Sequence, residues 1–249
     1  MLRDLKVMAM IKKTLVVRDK PTASDLESRT DNQLVQQVLA QNDATAFELI
    51  MRRHNQRLYR LARSILKDAD DAEDVVQETY LRAFQKLESF RADSELSTWL
   101  SRIAINTAYR RLRRRGRVVF FEDFASPKNE GDGPHPAFIE GVESEEPSPE
   151  FQMQITQLRS LLQEAIDMLP LEFRTVFVLA KVDGRSVKEI ATILSINEQT
   201  VKTRLHRAKA KLRTNIGDAF EDIAPSVHQF DGARCDRIVA SVLIALTNS

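Results

Sequence analysis

The chain has little of what most enzymes and most β-proteins are built from. Its 249 residues include seven glycines, eight prolines, one tryptophan and one cysteine. So few turn residues exclude a barrel or a sandwich, which turns back every ~8–12 residues. The single cysteine, Cys235, excludes an intramolecular disulfide and a cysteine-rich zinc site, and it fits a reducing cytoplasm, the expected location. No glycine-rich phosphate loop, metal-spaced His/Asp cluster or nucleophile–base pair occurs. The four histidines, His54, His135, His206 and His228, are scattered, and His228 with Cys235 offers two ligands where zinc takes four. A binding protein is therefore expected, with no catalytic residue, no metal and no cofactor. Nor does any long apolar run appear. Residues 5–17 are moderately apolar, but Lys6, Lys12 and Lys13 interrupt them, so neither a signal peptide nor a membrane span is expected.

What the sequence does have is helical periodicity and segregated charge. The net charge is only +1. Yet residues 110–117 and 202–213 are strongly basic, and 68–78 and 140–150 are acidic, which points to one partner for an acidic face and a polyanion for basic ones. Apolar residues recur at helical spacing through 31–115: Phe47, Ile50 and Met51, then Leu58, Leu61, Ala62, Ile65 and Leu66. Asp68-Ala69-Asp70-Asp71 marks a turn where a new helix opens with acids at its positive end. Another helix begins near Ser97 and is ended by Gly116. From 117 to about 150 Gly131, Gly133, Pro134, Pro136, Pro147 and Pro149 sit among acids without periodicity, which reads as a linker. Residues 152–213 are helical again, broken at Pro170 and Gly184. The expected fold class is all-α. Its parts are an N-terminal extension (1–30, flexible), a first helical domain (31–116), an acidic linker (117–151), a second helical domain (152–213) and a C-terminal extension (214–249) with one amphipathic helix.

Within the second domain, SVKEIATILSINEQTVKTRLHR (186–207) has helix-turn-helix spacing. Ile190, Ala191 and Leu194 form the inner face of a short helix, Ser195-Ile196-Asn197 turns the chain, and Glu198 opens a second helix. That helix directs Val201, Leu205, Ala208 and Leu212 inward and Lys202, Thr203, His206, Arg207 and Lys209 outward. No acid lies between Lys202 and Arg213, so the outer face suits a major groove, with Lys202 and Arg207 reaching guanine edges or phosphates. Ser195 stands where glycine is usual, and a left-handed backbone costs a serine about 1 kcal/mol.

Within the first domain, DAEDVVQETYLRAFQKL (71–87) puts Ala72, Val76, Thr79, Ala83, Phe84 and Leu87 on one face. Asp71, Asp74, Gln77 and Glu78 form an acidic stripe on another. FRADSELSTWLSRIAINTAYRRLRRR (90–115) follows. Leu100, Ile103, Ala104, Thr107 and Ala108 pack inward, while Arg102, Asn106, Tyr109 and Arg113 are expected to face out. A basic, amide-bearing, aromatic face suits single-stranded DNA. Trp99 reads as a core residue.

These blocks, in this order, resemble the extracytoplasmic-function group of the bacterial sigma-70 family, over about three fifths of the chain. The resemblance implies a region 2 bundle followed by a region 4 helix-turn-helix. It implies that Asp71, Asp74, Gln77 and Glu78 dock on the clamp of core RNA polymerase. Phe90, Arg91, Arg102, Asn106, Arg110 and Arg113 would recognise and melt the minus-ten element, with Asn106 on a flipped base. Lys202, Thr203, His206 and Arg207 would read the minus-thirty-five element. The implied partners are core polymerase and promoter DNA, double-stranded and melted, with an anti-sigma protein left open and no membrane insertion. The alternative is a helix-turn-helix regulator of another type. It would need a receiver or ligand domain with alternating strands, and no strand-like run occurs in 31–115.

The tail lies outside this resemblance. Cys235, Ile238, Val239, Val242, Leu243 and Leu246 form one apolar stripe, with Asp236, Arg237 and Ser241 opposite. So short a helix is marginal alone. The expectation is that it packs on the second domain; the competing arrangement is that it bridges to the first domain or covers its polymerase-binding surface, holding the factor compact and self-restrained.

Overall fold

The computed structural model describes residues 28–115, 149–216 and 224–248. Nearly all of the N-terminal extension and of the acidic linker lie outside the described residues. Among the described residues every regular element is a helix. The α-helices are α1 (Asp31–Gln41), α2 (Ala44–Leu66), α3 (Ala69–Lys86), α4 (Leu96–Arg114), α5 (Pro149–Met168), α6 (Leu171–Phe177, continued by a π-helical turn over Val178–Val182), α7 (Val187–Leu194), α8 (Glu198–Ile216) and α9 (Gly232–Thr247), with short 3-10 turns at Leu87–Ser89 and Ala224–Ser226.

Local chemistry sets these boundaries. Thr30 and Gln33 form a capping box at the start of α1. Asp43 accepts from Thr45 N at 2.9 Å and opens α2, and Asp68 accepts from Asp71 N at 2.8 Å to open α3. Each satisfies backbone donors that the first turn of a helix leaves without partners. α1 and α2 end where Asn42 and Lys67 turn left-handed, at φ 53° and 63°. The serine–glutamate pair Ser186 and Glu189 forms a second capping box, on α7.

α2 is the axis of the first unit. Its Phe47, Ile50, Leu58, Leu61 and Ile65 pack with Val75, Val76 and Tyr80 of α3 and with Leu100, Ala104 and Ala108 of α4. Tyr80 is fully buried, and its hydroxyl donates to Met51 O at 3.1 Å. A second core joins Leu162 and Ile166 of α5, and Leu169 just after it, to Phe177, Val178, Ala208 and Leu212.

The two units are packed face to face. The first core continues into Val176, Leu179, Ile190, Ile193 and Val201. The last carbonyls of α2 have no partner within their helix, and Arg174 of α6 supplies one. It donates to Ser64 O and Ile65 O, and also to Asp167 O at 3.1 Å and Leu169 O at 2.8 Å. Arg63 adds a two-pronged pair with Asp167 at 3.2 and 2.9 Å.

α9 has the expected apolar stripe but a different mate. Ala224 and Val227 complete the second core. The chain then crosses α2, and Ile238, Val239 and Val242 of α9 are buried in the first core, against α2 and α3. The expectation that this helix packs on the second domain is corrected, because the second core is already closed before α9 begins.

Candidate nucleic-acid interface

The helix-turn-helix forms as its spacing predicts. Ser195 adopts the left-handed conformation at φ 56°, so the turn is kept without glycine. Asn197 Oδ1 accepts from Thr200 N at 2.6 Å and opens α8. Ile190 and Ile193 of α7 are buried, as are Val201, Ala208 and Leu212 of α8, while Ala191, Leu194 and Leu205 are half-buried. Lys202 and His206 are exposed, and Thr203 and Arg207 half-exposed. The four residues singled out therefore share the outer side of α8.

The basic face of α4 is arranged differently. Asn106 and Arg113 are exposed, but Tyr109 is only 4% exposed. The expected outward position of Tyr109 is corrected: it lies beneath the second unit, near Arg204 and Thr175, and burial pushes its phenol above the ordinary range. Arg102 reaches across to the end of α7, where Nε and Nη2 donate to Thr192 O at 3.0 and 2.7 Å. A guanidinium at a helix C-terminus meets both an unpartnered carbonyl and the negative end of the dipole. Arg102, Ile105, Asn106 and Tyr109 face Ile193, Leu194 and Ser195 across a cavity of 230 Å³. Buried Arg185 links the start of α7 to the segment before α4, lying 3.5 Å from Glu95 and 2.7 Å from Glu189. Phe90 is half-buried against Trp99, with ring centroids 5.5 Å apart. Arg91 is exposed, and Arg110 lies 3.8 Å from Glu78.

The acidic stripe on α3 divides in two. Asp74 is exposed, with Gln77 and Glu78 half-exposed. Asp71 is only 3% exposed. It accepts from Arg111 Nε at 2.9 Å and Arg115 Nη2 at 2.6 Å, while Arg111 Nη2 also donates to Asp74 at 2.6 Å. The basic end of α4 is thus clamped to the acidic start of α3, which the helical period of either segment alone does not show. Sequence reasoning also passed over Arg174 and Glu73. An arginine inside the apolar block DMLPLEFRTVFVLAK is itself the signal for Arg174, since a buried arginine needs several acceptors.

No helix among the described residues is long and apolar enough to cross a membrane, and none of their His, Cys, Asp and Glu side chains are grouped to hold a metal ion.

Residues 50–118 match the family Sigma-70 region 2, and residues 159–212 match Sigma-70, region 4. Every candidate site residue singled out from the sequence falls inside these two segments. The chain is 34% identical over 185 residues to the RNA polymerase sigma-H factor of Pseudomonas aeruginosa, covering 74% of this chain and 92% of that protein. It is 31% identical over 208 residues to the ECF RNA polymerase sigma factor SigE of Mycolicibacterium smegmatis, covering 84% and 73%. Among solved structures, that of CnrH in complex with the cytosolic domain of CnrY is similar with a TM-score of 0.50 and 26% identity, over 74% of this chain and 95% of that one. The chain belongs to the extracytoplasmic-function group of the bacterial sigma-70 family and is an RNA polymerase sigma factor that directs promoter-specific transcription.

Proposed function

We propose that the factor works through three contacts and by binding alone, in the cytoplasm, without cofactor or metal. Asp74, Gln77 and Glu78 of α3 meet core polymerase, with Asp71 beneath them fixing α3 against α4. Lys202, Thr203, His206 and Arg207 read the minus-thirty-five duplex. Phe90, Arg91, Arg102, Asn106, Arg110 and Arg113 receive the melted minus-ten strand, Asn106 taking a flipped base. A protein of the anti-sigma kind is a further partner on the same reading. The domain limits 31–116 and 152–213 are the working boundaries for these contacts.

The observation that carries this reading is the paired placement of the two basic faces. One lies on α8 over a braced turn, and the other lies on α4 beside exposed Asn106. Their arrangement adds a step. While Arg102 is bound to Thr192 O, the end of α7 shares a cavity with Asn106 and lies against the α4 face that carries it. The minus-ten strand and α7 compete for one surface, so promoter opening requires α7 to leave α4.

Run-off transcription with core polymerase and a genomic fragment library tests the reading. Specific transcripts are expected only when the factor is present. Failure of the chain to support any transcript beyond core polymerase alone contradicts it. Asn106→Ala should form closed complexes normally and open DNA slowly by permanganate footprinting. Opening at the parental rate removes Asn106 from the melted strand.

A further inference from the structure

The segment after α8 lies beyond both matched sigma segments, the second of which ends at residue 212. It is nevertheless anchored in both cores. Ala224 and Val227 belong to the second, and Ile238, Val239 and Val242 to the first. Between them the chain runs over α2. Pro225 O accepts from Arg60 Nη2 at 3.1 Å. The Phe230 ring lies 5.4 Å from that of Tyr59, and the Arg234 guanidinium stacks over the same Tyr59 ring at 4.5 Å.

α9 then fills a groove between α2 and α3. The floor is apolar: Cys235, Leu243 and Leu246 are half-buried around the three fully buried aliphatics. The rims are matched in charge. Arg237 pairs with Glu73 of α3 at 3.1 Å through both nitrogens, Arg52 of α2 pairs with Asp236 at 2.7 Å, and Asn55 Nδ2 donates to Cys235 Sγ at 3.1 Å. Glu73 is one turn before Gln77 and directly precedes Asp74, so α9 lies along the shoulder of the acidic stripe. A helix of 16 residues is marginal once undocked, so leaving the groove and unwinding go together.

We propose that the α2–α3 groove is a docking site for an amphipathic helix, and that its resident occupant, α9, is a latch within the same chain. The latch ties the second unit to the first and competes with partners that approach α3. The docking site stands on the packing alone. The competition rests on the reading of α3 as the polymerase-docking helix.

The test uses the full chain and a fluorescent synthetic peptide of residues 229–248. Ile238→Asp places a carboxylate in the buried floor and frees the groove. Arg237→Glu, set against Glu73, is the milder variant should the first fail to fold, and exposed Ala240→Asp is the control. The peptide is expected to bind Ile238→Asp about tenfold more tightly than the parent, whose groove is occupied, with Arg237→Glu between them and Ala240→Asp like the parent. Affinity for core polymerase should rise in the same order and fall back when peptide is added. Equal peptide binding by parent, Ile238→Asp and Arg237→Glu overturns the docking site. Tighter peptide binding with unchanged polymerase affinity overturns the competition. Peptide binding needs no polymerase, so a failed latch and a failed sigma-contact reading give different results.

Discussion

The two basic faces of this factor have similar chemistry and opposite availability. On α8, Lys202 and His206 stand exposed on the side away from the core. On α4, Arg102 is already bound to the last turn of α7, and Tyr109 is buried under the second unit. Composition made the two look equally ready for DNA; what packs against them separates them. On the proposed reading, Lys202 and His206 of the upstream reader are exposed in the closed chain, while α7 already holds Arg102 of the minus-ten face. The order of engagement this proposal implies is upstream contact first and melting after α7 has moved.

The strongest way to break this contrast is to loosen the joint between the units. Arg174 is 3% exposed, and burial lowers it only to about 10, so it stays charged at neutral pH while donating to four carbonyls. Arg174→Met should cost about 3 kcal/mol, because each carbonyl loses its donor in a buried setting. Urea denaturation of the full chain reads the loss, and the variant should also expose α4 to DNA. Next in size are the upstream readers. Lys202→Ala and Arg207→Ala should each weaken duplex binding by about 1–3 kcal/mol where the contact is to a base. Fluorescence anisotropy with a minus-thirty-five duplex measures this, and Asn106→Ala should leave the same assay unchanged.

A smaller effect comes from pH. His228 is buried near Arg63, Arg60 and Arg174, and burial first, then those charges, push it down to about 3. The unfolded chain takes up this proton near 6.5 while the folded one refuses it. Stability from His228 is therefore full above about 6.5 and falls as pH drops towards 3. At pH 5.5 the loss is about 1.4 kcal/mol. Asp183, which burial raises to about 7, has the opposite sign, its favourable share fading as pH rises from about 4 to 7. The comparison to make is thus His228→Gln against the parent, which should differ in slope between pH 7 and 5.5. Equal slopes would show that His228 is not held neutral. Smallest is Asp74→Lys, which should cost about 1 kcal/mol, since Asp74 is exposed and loses only its surface pair with Arg111. It should still weaken core polymerase binding in a competition assay, and unchanged binding removes Asp74 from that contact.

Much of the fold was legible in the sequence. The aspartates that open α3, the turn at Ser195, and the apolar periods of α2, α4 and α8 are local, so a linear reading finds them. Three errors share one cause. Asp71 looked like part of an open stripe, Tyr109 looked outward, and α9 looked like a support for the second domain. Helical periodicity tells which residues share a face, but not what covers it. The cover comes from far along the chain: Arg111 and Arg115 for Asp71, α6 and α8 for Tyr109, and the α2–α3 groove for α9. The outer face of α8 was read well because, among the described residues, nothing distant covers Lys202 or His206.

The most direct measurement of the central claim is the distance between the units during initiation. Fluorophores at exposed Gln85 on α3 and exposed Lys188 on α7 report whether α7 stays against α4. The account predicts one short distance in the free chain. It predicts a longer one in complexes with core polymerase and promoter whose minus-ten bases have become permanganate-reactive. A short distance retained in those open complexes would contradict it.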